Sequence, residues 1–264
     1  MATRARTPAT LTAYVLHRYD WSESSLILDL FTREQGRLAV AAKGAKRPYS
    51  QLRSVLLPFQ RLQVGLGRLP KVGADQEPQH EVQTLRSAEW AGGAAMLTGA
   101  ALFSGFYLNE LLIRLIARHD AHPALFDVYA DTLPTLVARD DAQVQAALRA
   151  FEISVLKEIG VLPDLSLVTS TQAELHAMER YTLLPEVGVA VARGGEPDIA
   201  GSVLIDLQAA LEHGSLAALQ QACAAALPEL KAMLRSLLHY HLGSPLLRTR
   251  QVMLDVQALA NPPT

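Results

Sequence analysis

The chain has 264 residues, half of them apolar, and a formal net charge of −2. This length suits one large domain or two ordinary ones, each with a packed core. No apolar run approaches the ~20 residues of a membrane-spanning helix, and the start lacks the apolar segment of a secretory signal. The single cysteine, Cys223, excludes an intramolecular disulfide and a multi-cysteine zinc cluster. We therefore expect a cytoplasmic protein without membrane contact.

Short β-rich runs follow a basic start. Residues 1–10 carry Arg4, Arg6 and Pro8 without apolar periodicity, which predicts a disordered basic tail. Apolar or alternating runs bounded by turn signals predict five strands, at residues 13–17, 26–31, 38–42, 58–66 and 81–86. Five short strands in under ninety residues predict a small barrel rather than an open sheet, over residues 11–88.

Helical periodicity replaces alternation from about residue 88, which predicts a helical domain over residues 89–264. The acidic pair Asp140-Asp141 suits a helix N-terminus, and residues 161–201 form an irregular insert. Helices are predicted at 94–119, 123–138, 141–159, 203–213, 215–226, 228–241 and 245–260. The fold class is α+β and multidomain, with a five-stranded barrel followed by an all-α domain.

Charge divides the chain in the same way. Residues 1–72 contain 12 Lys and Arg against 4 Asp and Glu, whereas the remainder contains 12 against 22. A basic module built of strands favours a polyanion partner, because lysine and arginine neutralise phosphates and release counterions. The alternative is the solvated face of an ordinary small β domain.

The sequence contains little that indicates catalysis. It lacks both phosphate-binding glycine motifs and the GxSxG elbow, and Cys223 lies in an Ala-rich helical run that is typical of a buried, inert thiol. The pairs His119/His122 and His239/His241 lack the i, i+4 spacing of helical metal ligands. We expect a protein that is not an enzyme and has no cofactor or metal.

The basic residues of the first domain are the stronger signal. Cations on neighbouring barrel loops can follow a phosphodiester backbone, and aromatic side chains beside them can stack unpaired bases. The candidate nucleic-acid-binding residues are Arg33, Arg37, Lys43, Lys46, Arg47 and Arg53, together with Trp21 and Tyr49 in predicted loops.

At these residues the chain resembles the RecO family of bacterial recombination mediators. The matching segments are AYVLHRYDWSESSLILDLFTREQGRLAVAAKGAKRP and LLPFQRL, followed in the helical half by FEISVLKEIGVLPDL, YTLLPEVGVA and HLGSPLLRTRQVM. The resemblance implies an oligonucleotide/oligosaccharide-binding (OB) barrel and a helical domain. Some members carry a four-cysteine zinc site where this chain has residues 162–181, which contain no cysteine, so the insert is expected to be zinc-free.

The resemblance also implies a function. Such proteins bind single- and double-stranded DNA, anneal complementary strands and, with RecR, help load RecA onto strands coated by single-stranded-DNA-binding protein (SSB). This implies a nucleoid-associated protein, here expected to be a monomer by itself. The SSB tail is acidic with an apolar tip, so its receptor needs an apolar pocket rimmed by cations, for which the candidates are Leu111, Arg114, Leu115 and Arg118. The alternative for these four is a core helix with two arginines at its edge.

Two other functions stay open from the sequence. One is a protein-binding adaptor whose basic barrel contacts an acidic protein rather than DNA. The other is an enzyme with an unrecognised site in residues 161–201.

Overall fold

The computed structural model describes residues 10–67, 82–93, 96–243, 247–249 and 251–252. The predicted basic tail, apart from Thr10, and most of the last predicted helix lie outside these residues. The chain divides into two units: the first comprises the residues up to Met96 and Ile116–Asp127, and the second comprises Leu97–Leu115 and the residues from Val128 onward. We call Ile116–Asp127 the return segment, because the chain comes back there to the first unit.

The first unit is built on a closed five-stranded barrel, which confirms the predicted fold class. Its strand order is β1-β2-β3-β5-β4, in which β4 returns to β1 and only the β3–β5 pair is parallel. This is the order of an OB fold. The strands are β1 (Thr10–Asp20), β2 (Leu26–Thr32), β3 (Gly36–Ala42), β4 (Leu62–Leu66) and β5 (Gln83–Trp90), and the short helix α1 (Leu52–Val55) lies between β3 and β4.

Alternation along the strands fills the barrel. Successive side chains of a strand point to opposite faces. Alternate residues of β1, β2 and β3 therefore point into the barrel and form its core. Val15, Leu28 and Leu30 are completely buried there. Burying each such side chain is worth roughly 1.5–3 kcal/mol relative to leaving it in water.

The return segment covers the outer face of β1–β3. The Phe126 ring lies 5.3 Å from that of Tyr14 and 5.4 Å from that of Phe31, measured between centroids. In the β2–β3 turn, Gly36 has a φ of +68°, and a Cβ atom there would collide with the Asp120 carbonyl. The turn therefore needs glycine both for its backbone conformation and for this close approach.

Six helices make up most of what the structure describes after Met96: α2 (Gly99–Leu115), α3 (Pro123–Thr135), α4 (Asp141–Glu158), α5 (Gly201–His213), α6 (Leu216–Ala224) and α7 (Leu227–Leu242). Helix α4 is central to the second unit, with Ala147, Phe151 and Val155 completely buried. Its start confirms the predicted cap, since the Asp140 carboxylate accepts a hydrogen bond from the Ala142 amide at 3.0 Å.

Helix α2 is shorter than the predicted 94–119. The Ile116 carbonyl would continue the helical ladder, but it accepts a hydrogen bond from Arg37 Nη1 at 2.6 Å. The chain after Leu115 therefore follows the barrel, and Arg118 does not lie on the helix.

The irregular insert contains a small antiparallel sheet that the sequence reading missed. Its strands are β6 (Arg180–Leu184), β7 (Gly188–Val191) and β8 (Ile199–Ala200), in the order β7-β6-β8. Each strand contributes a buried side chain: Tyr181 from β6, Val189 from β7 and Ile199 from β8. In the described ranges, no three His, Cys, Asp or Glu side chains are grouped as metal ligands, and none of the helices is long and apolar enough to cross a membrane.

Candidate nucleic-acid interface and helical pocket

Two loops meet at one end of the barrel. The Lys46 amide donates to the Ser24 carbonyl at 3.0 Å, and the Gly44 amide donates to Ser25 Oγ at 3.3 Å. The Lys46 ammonium donates to the Ser22 carbonyl at 3.0 Å. These bonds join the β1–β2 loop, residues 21–25, to the segment 43–53 that follows β3. We call the two together the loop cluster.

The loop cluster gathers four of the six predicted basic residues and both predicted aromatics. Lys43, Arg47 and Arg53 are exposed and Lys46 is half-buried. The side chain of Tyr49 is 99% exposed and that of Trp21 is 58% exposed. The rings of Trp21 and Tyr49 are open to solvent beside these cations, which is the arrangement that base stacking requires.

Arg33 and Arg37 lie at the opposite end of the β2–β3 hairpin. Seven residues of β2 separate that turn from the loop cluster, which corresponds to roughly 20 Å of extended strand. Arg33 forms a bidentate salt bridge with Asp127: its Nε donates to Oδ1 and its Nη2 to Oδ2, each at 2.9 Å. This hydrogen-bonded pair raises the pKa of Arg33 and lowers the pKa of Asp127.

Arg37 is inside the unit rather than on its surface. The residue is 7% exposed, and its Nη2 donates to Asp29 Oδ2 at 2.8 Å. Asp29 is itself 1% exposed and has Arg118 Nη2 as a second cation, at 3.5 Å. A guanidinium buried on a carboxylate is not open to a DNA backbone in this structure, so Arg37 does not join the exposed cations, and its binding role stays a prediction.

Two residues beside the loop cluster were not among the predicted site residues. Arg18 and Tyr19 are exposed at the end of β1. A β-bulge between Val15 and His17 shifts the register there. Simple alternation along β1 does not reveal this shift, although the polar run HRYD after a buried strand gives a hint.

The predicted SSB-tail residues stay a prediction, and the structure places them as follows. Leu111 is completely buried in the second unit. Arg114 pairs with Glu110 at 3.4 Å on α2, and Leu115 is the last residue of that helix. Arg118 belongs to the return segment, so it does not continue the helical face formed by Arg114.

The second unit contains a pocket of about 300 Å³. Phe103, Leu148, Leu238 and Leu247 supply apolar walls, and Arg149, Lys231 and Arg235 supply positive charge. Lys231 and Arg235 are one turn apart on α7 and both are exposed.

Buried polar groups lie at the base of this helical pocket. Glu152 Oε1 accepts hydrogen bonds from Tyr107 Oη at 2.6 Å and from Arg149 Nη2 at 2.5 Å. Burial raises the pKa of Glu152 against the opposing effect of Arg149, and burial also raises the pKa of Tyr107. Among the described residues, Arg149 Nε and Glu152 Oε2 have no hydrogen-bond partner. Buried groups of this kind usually have a hydrogen-bond partner, either protein or ordered water, so these two atoms can accept a polar partner in the pocket.

Comparison with known proteins agrees with the two-part architecture. Residues 7–73 match the family model described as recombination protein O N terminal, and residues 96–250 match recombination protein O C terminal. The chain is 49% identical over 249 residues to DNA repair protein RecO of Polaromonas sp. (strain JS666 / ATCC BAA-500), covering 94% of this chain and 96% of the relative.

Other relatives give the same result. The chain is 50% identical over 257 residues to DNA repair protein RecO of Variovorax paradoxus (strain S110), with 94% and 96% covered. It is 49% identical over 267 residues to DNA repair protein RecO of Acidovorax ebreus (strain TPSY), with 97% and 99% covered. The chain therefore belongs to the RecO family of DNA repair proteins.

Proposed function

We propose that the protein binds single- and double-stranded DNA through the loop cluster and anneals complementary strands. One observation carries the proposal: the two loops that flank the β2–β3 hairpin are hydrogen-bonded together and present exposed cations and aromatics on one end of an OB barrel. Lys43, Lys46, Arg47 and Arg53 would contact phosphates without reading sequence. Trp21 and Tyr49 would stack on bases, at about 1–3 kcal/mol per base.

Annealing follows from the same physics. Two strands repel each other through their phosphates, and a cationic surface lowers this repulsion by replacing condensed counterions. No bond is broken in the process, so it requires neither catalytic residues nor a nucleotide. An annealing assay on complementary oligonucleotides without nucleotide or metal separates this function from that of an enzyme.

The direct test is a triple variant of the loop cluster, Lys43→Ala with Lys46→Ala and Arg47→Ala. Fluorescence anisotropy with a labelled single strand, titrated over salt, should show weaker binding and a log–log salt slope that is smaller by about two. Replacing three exposed arginines of the second unit, Arg139, Arg180 and Arg193, by alanine is the matched control with the same loss of charge. Equal effects of both triples would contradict a localised interface.

The same titration decides between DNA and an acidic protein as the partner. Counterion release gives a steep salt slope with DNA. An adaptor for an acidic protein would bind labelled strands weakly in the wild-type protein, and the triple variant would change little. That outcome would overturn the proposal.

We also infer that the SSB tail docks in the helical pocket. Its requirement, an apolar cavity rimmed by cations, is met by Phe103 and Leu148 with Lys231 and Arg235. The exposed cations would attract the acidic residues of the tail, and the apolar walls would receive its tip. Arg149 Nε, a buried donor, would face the tail's carboxylates.

Two charge reversals test whether the tail binds in the helical pocket or beside Arg114 on α2. A labelled tail peptide should lose most of its affinity for Arg235→Glu and keep it for Arg114→Glu, while DNA binding stays unchanged in both. The reverse pattern would assign the tail to α2, and retained affinity in both variants would contradict both locations. Docking of RecR and RecA loading on SSB-coated strands belong to the same proposal, and a strand-exchange assay with purified RecR, RecA and SSB tests them.

A further inference from the structure

A polar cleft opens at the end of the barrel that carries the loop cluster. After the bulge in β1, Arg18 lies opposite Leu28 and Asp20 lies opposite Leu26. Directly opposed residues of an antiparallel pair share a face of the sheet, and Leu28 belongs to the barrel core. Arg18 and Asp20 therefore lie on the inner face of β1, where the core ends and solvent begins.

Three cations line this cleft. Its volume is about 430 Å³, and its walls are formed by Arg18, Lys46, Arg53 and Asp20, with Leu26, Ala45 and Leu56 as apolar surfaces. Arg18 Nη1 lies 3.4 Å from the Leu56 carbonyl. Three positive charges face one negative charge, so the cleft has a local excess of positive charge.

The one carboxylate in the cleft is held loosely. Asp20 Oδ1 lies 3.0 Å from Lys46 Nζ, but the Asp20 side chain is 80% exposed. An ion pair so open to water contributes little free energy. A phosphate group can therefore replace the Asp20 carboxylate beside Lys46 at a small cost in free energy, because the Asp20 side chain can turn into solvent.

We propose that this cleft, which we call the phosphate seat, binds a phosphate group of a bound strand. In the free protein the Asp20 carboxylate occupies the position beside Lys46 that the phosphate takes on binding. The inference rests on the proposed DNA binding and adds Arg18 and Asp20 to it. The phosphate would accept hydrogen bonds from Arg18, Lys46 and Arg53, and Asp20 would leave Lys46. Guanidinium groups suit this task, because their paired N–H groups match phosphate oxygens.

The test uses two substitutions with opposite expected effects. Arg18→Gln should weaken binding of a 5′-hydroxyl oligothymidylate by about 3- to 10-fold and reduce the salt slope by about one. Asp20→Asn should tighten it by about 2- to 5-fold, since the competing carboxylate is gone. The matched controls are Arg180→Gln and Asp198→Asn, which remove the members of an exposed ion pair in the second unit and should leave binding unchanged.

A 5′-phosphorylated oligonucleotide distinguishes the two sources of phosphate. Tighter binding of the phosphorylated strand that is lost in Arg18→Gln assigns the seat to a terminal phosphate. Equal binding of both strands, weakened to the same degree by Arg18→Gln, assigns it to an internal phosphodiester. Either result supports the proposal.

Wild-type affinity and slope in both Arg18→Gln and Asp20→Asn would overturn the seat. If the loop-cluster triple variant still weakened binding, the proposed function would stand without it. The proposed function itself fails when the wild-type protein shows no salt-dependent binding of any strand, or when the loop-cluster triple variant leaves that binding unchanged. Arg18 and Asp20 are exposed, and thermal unfolding of each variant verifies that the fold is intact.

Discussion

At the scale of single residues, the first unit contains a buried ion pair between Asp29 and Arg37. Asp29→Asn would leave the Arg37 guanidinium buried without its counter-charge. Removing one partner of such a pair typically costs about 3–5 kcal/mol, so we expect a loss of this order in the free energy of unfolding, measured by urea denaturation. Asp127→Asn, which breaks the exposed pair with Arg33, is the control and should have a much smaller effect. Similar losses in the two variants would contradict the interior role of Arg37.

Cys223 provides a second test at this scale. Burial raises the pKa of its thiol to about 12, so very little of the reactive thiolate exists near pH 8. Iodoacetamide should therefore leave the native protein unmodified and label it only after unfolding in urea, as read by mass spectrometry. Rapid labelling of the native protein would show that the thiol is accessible.

The site residues show where sequence reasoning succeeds and where it stops. Lys43, Lys46 and Arg47 follow a strand directly, so the sequence alone places them in one exposed loop. Arg37 also follows a turn between two strands, but the backbone carbonyl that accepts from it, that of Ile116, is 79 residues away in the chain. Local pattern cannot reveal a contact of this range, and the burial of Arg37 was therefore missed.

At the scale of elements, the contribution of the Asp140 N-cap of α4 to the free energy of unfolding can be measured. Asp140→Ala removes the carboxylate that accepts from the Ala142 amide, and loss of an N-cap typically costs about 1 kcal/mol. Asp140→Asn keeps an acceptor oxygen at the same position and should recover most of this loss. Chemical denaturation measures both, and equal destabilisation by the two substitutions would rule out the capping role.

Element prediction depended on length and regularity. The barrel strands are apolar or alternating runs of five or more residues, and their predicted positions lie within a few residues of the bounds in the structure. The strands β7 and β8 have four and two residues, which is too short for alternation to be distinguished from an irregular stretch. Helix α2 was predicted too long because its apolar spacing continues past Leu115, and only the contact with Arg37 explains where it ends.

At the scale of the whole molecule, stability should not depend on metal. The insert is held by the β7-β6-β8 sheet and by the buried side chains of Leu165, Leu175 and Leu183. Dialysis against EDTA should leave the melting temperature unchanged in differential scanning fluorimetry. A fall in melting temperature together with released zinc would contradict this expectation.

The return segment has a consequence for how the molecule is made. The barrel unit is discontinuous in the chain, because Leu97–Leu115 belongs to the other unit and lies between its two parts. During synthesis, a nascent chain that ends at Met96 has all five strands but lacks Phe126 over Tyr14 and Phe31 and the backbone acceptor of Arg37. The first unit can be completed only after Asp127 has left the ribosome, by which point α2 has also been made. A chain that ends at Met96 therefore lacks part of the first unit, and this unit cannot be obtained intact by cutting the gene at a single point.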